Sequence, residues 1–125
     1  MDGTRLVRVR DNFFRRKYGR EILPQPPADD PVKVDPKHYK VEFENERVRV
    51  VRISYRPGEK SVMHSHPESV GVFLTDAQAK FTYPDGRTED ISAKSGEVLH
   101  MDAFTHLPES TSDKPFELIQ VELKG

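Results

Sequence analysis

The chain has 125 residues, enough for one domain with a real core, and its 20 basic and 21 acidic side chains leave a formal charge of -1. That balance gives no bias toward nucleic acid or an anionic membrane surface. The absence of cysteine excludes disulfides, thiolate metal sites and cysteine nucleophiles, and no apolar run reaches the roughly 20 residues of a spanning helix. The N-terminus lacks the apolar core of a secretory signal, so a cytoplasmic protein is expected.

Residues 1–36 read as an arm and its connector. Arg5, Arg8, Arg10, Arg15, Arg16, Lys17 and Arg20 interleave with Phe13, Phe14, Tyr18, Ile22 and Leu23. A charge run is usually a solvated face, so the arm is read as packing its aromatics on the body or on a neighbouring subunit. A basic patch touching nucleic acid or acidic lipid is the less favoured alternative. Pro24, Pro26, Pro27, Pro31 and Pro36 then break regular structure, and 24–36 is expected to be extended. His38, just beyond, is expected to face solvent.

Residues 37–125 carry the signals of short strands. Val41 and Phe43 share a face before Asn45 interrupts. Over 47–55 the apolar phase switches between Val50 and Val51, which predicts a bulge or a strand crossing between sheets. Pro57-Gly58 is a turn, 61–66 a strand, and 70–75 is apolar on both faces and therefore central. Ala79, Phe81 and Tyr83 alternate with polar residues, and Pro84-Asp85-Gly86 closes a hairpin onto 88–91. After a turn at Ser95-Gly96 comes a strand over 97–101, in which His100 shares a face with Val98. Ile119, Val121 and Leu123 mark a last strand, with Gln120 and Glu122 on its other face. Many short strands without a helix in the body predict an all-β sandwich, jelly roll or small barrel.

The chemistry concentrates in residues 58–66, where Gly58 is followed by His64 and His66. Two positions apart in a strand, the two imidazoles project from one face. A divalent transition metal satisfies both lone pairs, and imidazole suits zinc, iron, copper and nickel alike. His106 lies in a second cluster that also begins with a glycine, Gly96. The alternative is that His64 and His66 are hydrogen-bonded residues without metal and that His106 is not a ligand. His100, on an apolar face, reads as a satisfied core histidine and a reserve fourth ligand. Phe73, Phe81, Tyr83, Met101 and Phe104 read as core or pocket wall. Tyr55 and Tyr83 are read as structural rather than as acid-base hydroxyls.

The two glycine-led clusters resemble the paired motifs of the cupins, jelly-roll (double-stranded β-helix) barrels whose mouth often holds one metal ion. Over residues 39–123 the likeness is to small single-domain bacterial cupins, and the N-terminal arm lies outside it. Gly58, His64 and His66 match the first motif residue for residue. Its glutamate falls on Val70 or Gly71 and its closing glycine on Ala77, so the acidic ligand is missing. Val70 would then present an apolar wall in place of the acid. Glu68, in a turn, is expected to face water. In the second motif Gly96 matches, Asp102 and Phe104 replace a proline and a glycine, His106 sits one residue early, and Ser110 replaces an asparagine.

The resemblance implies one divalent transition metal (Fe, Ni, Mn, Zn or Cu) held by His64, His66 and His106. Lacking the glutamate, the set is similar to the three-histidine centres of cysteine dioxygenase and of the diketone-cleaving cupin dioxygenase. It therefore implies a metal-dependent dioxygenase acting on a small molecule. The alternatives are a metal-dependent isomerase or lyase, a non-catalytic metal- or small-ligand-binding cupin, and an interaction role carried by the arm. A homodimer is expected from the family resemblance and from the aromatics of the arm.

Overall fold

The computed structural model describes residues 29–125, so the expected arm and the first part of the connector lie outside the described residues. Where an extended connector was expected, Pro31–Val34 make a single helical turn, α1. Proline at the first helical position has no amide bond to lose, and Asp30 caps the turn by accepting from the Val32 amide at 3.1 Å.

Beyond α1 the described residues form strands: β1 (Tyr39–Glu44), β2 (Val48–Tyr55), β3 (His64–His66), β4 (Ser69–Phe73), β5 (Ala77–Thr82), β6 (Thr88–Ala93), β7 (Val98–Met101), β8 (Phe104–Ser110) and β9 (Phe116–Leu123). One sheet runs β1-β2-β9-β4-β7 and the other β3-β8-β5-β6, with every pairing antiparallel. This is the all-β architecture expected. Gly58 (φ 78°) and Gly96 (φ 88°) take up the left-handed backbone of the turns read at Pro57-Gly58 and Ser95-Gly96. The hairpin at Pro84-Asp85-Gly86 joins β5 to β6.

The core lies between the sheets. Val51, Ile53, Tyr55, Phe73, Phe116 and Leu118 from the first meet Ala77, Ala79 and Ala93 from the second. Ala77 and Ala79, facing large side chains, leave space between the layers.

The phase switch at Val50 and Val51 does mark a bulge, but the extra residue lies on the neighbouring strand. Val41 pairs with Val51 and Phe43 with Val50, which leaves Glu42 as the additional residue of β1. β2 keeps one buried face throughout, carried by Val51, Ile53 and Tyr55.

On β9 the faces differ from what apolarity suggests. Phe116, Leu118, Gln120 and Glu122 are buried, whereas Ile119 and Val121 are half-buried and Leu123 is exposed. The reason is a polar interior at one end of the barrel. Arg49 donates from Nε to Glu122 at 2.7 Å and grips both oxygens of Asp30 at 2.8 and 2.9 Å. Buried charges persist in pairs of this kind because a lone one is poorly solvated. The capping carboxylate of α1 is thus also an ion-pair partner inside the barrel.

Candidate metal centre

β3 is only three residues long, and it places His64 and His66 on buried positions with half-buried Ser65 between them. β8 pairs with it in antiparallel register, His106 opposite His64 and Phe104 opposite His66. Residues directly opposed across an antiparallel pair share a face, so all three imidazoles point inward. The one-residue displacement of His106 relative to the cupin pattern has no effect on this, because cross-strand register and not loop length aims the side chain.

The three rings converge through their Nε2 atoms. His64 Nε2 lies 3.0 Å from His66 Nε2, which lies 3.1 Å from His106 Nε2. Burial pushes all three imidazoles toward the neutral form; His66 falls to about 3 and His106 to about 2, each further lowered by its neighbouring histidines. Neutral imidazoles are the form that ligates metal.

At His64 the opposite ring nitrogen sets the tautomer. His64 Nδ1 donates to the Val62 carbonyl at 2.8 Å, with Ser61 Oγ at 3.3 Å, which leaves the Nε2 lone pair free. His66 Nδ1 sits 3.3 Å from the side-chain amide of Gln120, which also reaches Ser69 Oγ at 2.7 Å. His106 Nδ1 is buried without a hydrogen-bond partner among the described residues. The His106 ring stands between Phe104 and Phe81, edge-on to Phe81 with centroids 4.3 Å apart.

With His64 presenting a lone pair, the two Nε2 contacts cannot both be hydrogen bonds: a proton on His66 serves one of them at a time, and a proton on His106 leaves His64 and His66 lone pair to lone pair. One cation among them satisfies all three. For metal–nitrogen bonds of about 2.1 Å, adjacent ligand atoms lie about 3.0 to 3.4 Å apart, which matches the observed 3.0 and 3.1 Å. The residues present fit a divalent transition metal.

Among the described residues no carboxylate joins this set. Val70 occupies the outward phase of β4, so the expected apolar wall is not there; Ser69, Gly71 and Phe73 face inward. At the inward position Gly71, a Cβ would meet Met101 Cε at 3.3 Å and Leu118 Cδ1 at 3.6 Å. His100 is not a core histidine. It lies on the outer surface with exposed Val98 and pairs with Glu68 at 2.7 Å. With Asp102, these two make a second, exposed group at ligand-like spacing.

Other side chains were not legible as parts of the site. His38, expected in solvent, is 5% exposed and stacks on Tyr55 with centroids 4.2 Å apart. Its Nδ1 meets Asp35 at 2.7 Å and its Nε2 meets Glu59 at 3.1 Å. Asp35 also accepts from Ser61 Oγ at 2.5 Å, so a chain of hydrogen bonds links the ring of His64 to Glu59 near the surface. Tyr39 packs against the rings of His64 and His66, and its hydroxyl lies 2.7 Å from that of Tyr55. Burial raises the Tyr39 phenol well above its ordinary range. Phe73, Phe81, Met101 and Phe104 line the interior cavity as read, whereas Tyr83 donates to Glu89 at 2.6 Å away from it. The one signal for Gln120 was its phase, shared with Phe116 and Leu118.

No family model matches the sequence, and no curated protein does. Among solved structures, the chain is similar to a cupin domain from Bordetella pertussis, with 25% identity over 70% of this chain and 92% of that one at a TM-score of 0.64. A conserved protein with a double-stranded β-helix domain from Klebsiella pneumoniae is 20% identical over 70% of this chain and 76% of its own, with a TM-score of 0.56. A cupin superfamily protein from Desulfitobacterium hafniense is 19% identical over 82% and 95%, with a TM-score of 0.52. The last two show likeness of fold alone.

Proposed function

Taking the cupin-superfamily fold of this chain as given, we propose that it binds one divalent transition metal through His64, His66 and His106 and acts as a metal-dependent dioxygenase on a small molecule. The observation that carries the metal is the convergence of three buried Nε2 atoms at 3.0 and 3.1 Å. When bound, such a metal would supply Lewis-acid or one-electron chemistry at coordination positions that no carboxylate among the described residues fills. The chain's residues do the rest. Val62 and Gln120 hold the ring orientations of His64 and His66, and Phe81 and Phe104 keep water from the flank of His106.

The surroundings favour an oxygenase over an isomerase or lyase. Proton abstraction needs a base matched to neutral pH. The other polar groups lining the chamber are the two tyrosines, both raised above the ordinary phenol range by burial, the Gln120 amide and an exposed Asp102 at the rim. A non-catalytic metal- or ligand-binding protein is the second reading, supported by the same scarcity of acid-base groups. A homodimer belongs to the proposal too: β1 is a sheet edge whose Val41 and Phe43 are 42% and 54% exposed. As to its surroundings in the cell, no helix among the described residues is long and apolar enough to cross a membrane.

Elemental analysis of the purified protein beside a His64→Ala, His66→Ala double variant tests the metal. We expect near one ion per chain, lost in the variant; persistent absence after reconstitution with each divalent ion sinks the centre. Oxygen uptake by the iron-loaded protein with uncharged diketones and phenols then separates the dioxygenase from the binding protein.

A further inference from the structure

The space beside Ala77 and Ala79 is a cavity of about 360 Å³ that reaches from the core to His66 and His106. Its walls are apolar almost throughout and include Phe73, Phe81, Phe104 and Phe116. Among the described residues no lysine or arginine lines it, and the one carboxylate there is Asp102, exposed at the rim beside Ala103. The lining backbone belongs largely to paired strands whose amides are already committed. A buried anion needs a cation or free amides, and apart from a metal the cavity offers none. A sugar needs many hydrogen-bond partners, and here the tyrosine hydroxyls already bond each other while Gln120 is engaged with Ser69.

We propose that this cavity is the binding chamber for an uncharged, predominantly apolar molecule, aromatic or aryl-alkyl, with its oxygen-bearing end toward His66, His106 and Gln120. The volume sets the size. A dry cavity of about 150 Å³ holds benzene, so this one takes about two fused rings or a ring with a short chain. Apolar ligands entering such poorly hydrated pockets gain both dispersion contacts and release of weakly bound water. Four phenylalanines offer face and edge contacts to an aromatic guest. The orientation of the oxygen-bearing end rests on the proposed metal; the apolar selectivity rests on the walls alone.

The test is calorimetric titration of the full-length protein with 2-naphthol and with 2-naphthoate, which differ in charge on the same ring system. It is run on the metal-loaded protein and again after chelation, since a metal could hold the carboxylate by itself. In the chelated protein, 2-naphthol is expected to bind at least tenfold more tightly than 2-naphthoate. Ala79→Leu, which extends a side chain into the cavity, is expected to weaken 2-naphthol at least tenfold with metal content unchanged. If that variant does not fold, Ala77→Val replaces it, and the comparison of the two ligands in the unaltered protein needs no variant. Binding of 2-naphthoate as tight as that of 2-naphthol after chelation overturns the proposal, as does a lack of 2-naphthol binding up to its solubility limit. One metal per chain with no naphthol binding removes the chamber and leaves the metal centre. Naphthol binding without metal uptake keeps the chamber's selectivity and removes the centre.

Discussion

Two groups of side chains bring ligand atoms to metal-binding distance, and they differ in almost everything else. His64, His66 and His106 are buried inside the barrel, whereas Glu68, His100 and Asp102 stand exposed outside it. In the inner group the Nε2 atoms have, among the described residues, only one another, and burial favours their uncharged form. In the outer group His100 and Glu68 already satisfy each other at 2.7 Å, in water that screens whatever charge they carry. Proximity of ligand atoms is therefore a weak criterion by itself. What distinguishes the inner set is lone pairs that converge without a competing partner, on strands that cannot relax away from one another.

The sharpest way to break this comparison is to remove a ligand from each group. His66→Ala should lower metal affinity more than a hundredfold in a chelator-competition titration, while His100→Ala leaves it unchanged. Equal losses from the two variants would show that the outer group holds the metal. Next in size is the support behind the inner ligands. Gln120→Leu removes the partner of His66 Nδ1 and should weaken metal binding about ten- to a hundredfold, with Glu68→Gln again without effect in the same titration.

Acid should separate the groups as well. The inner histidines have folded pKa values below the unfolded value of about 6.5, so below that pH the unfolded chain binds more protons than the folded one. Their contribution to stability is complete above about pH 6.5 and is lost as pH falls toward the folded values, by at most about 1.4 kcal/mol per pH unit for each histidine. Metal-free protein should melt progressively lower from pH 6.5 to pH 4, and His106→Phe should flatten that slope in denaturation curves taken across the range. The smallest effect belongs to the outer pair. Its disruption by Glu68→Ala should change stability by no more than about 0.5 kcal/mol, and a larger loss would mean that the pair braces β4 against β7.

The legible parts of the molecule were those governed by local period. His64 and His66 could be placed on one face because strand side chains alternate, and Gly58, Gly86 and Gly96 marked turns because each adopts a positive φ. His106 was legible as a candidate but not as a partner of His64, since that relation is a register between β3 and β8 forty residues apart. Apolarity misled on β9, where Gln120 and Glu122 face the interior, and at Val98 and His100, which face outward. The same local logic put His38 in solvent, although Asp35, Glu59 and Tyr55 enclose it.

The sequence by itself determined the strand periods, the turns and the pair of histidines that share a face, because these depend on residues within a few positions of one another. Only the tertiary structure decided which histidine completes the set, that Gly71 leaves no acid there, and that Gln120 stands behind His66. It also decided that Ala77 and Ala79 open a chamber beside the histidines. Each of those facts depends on which strand lies against which, and in an antiparallel barrel that order is set by the burial of the whole interior and not by any one segment.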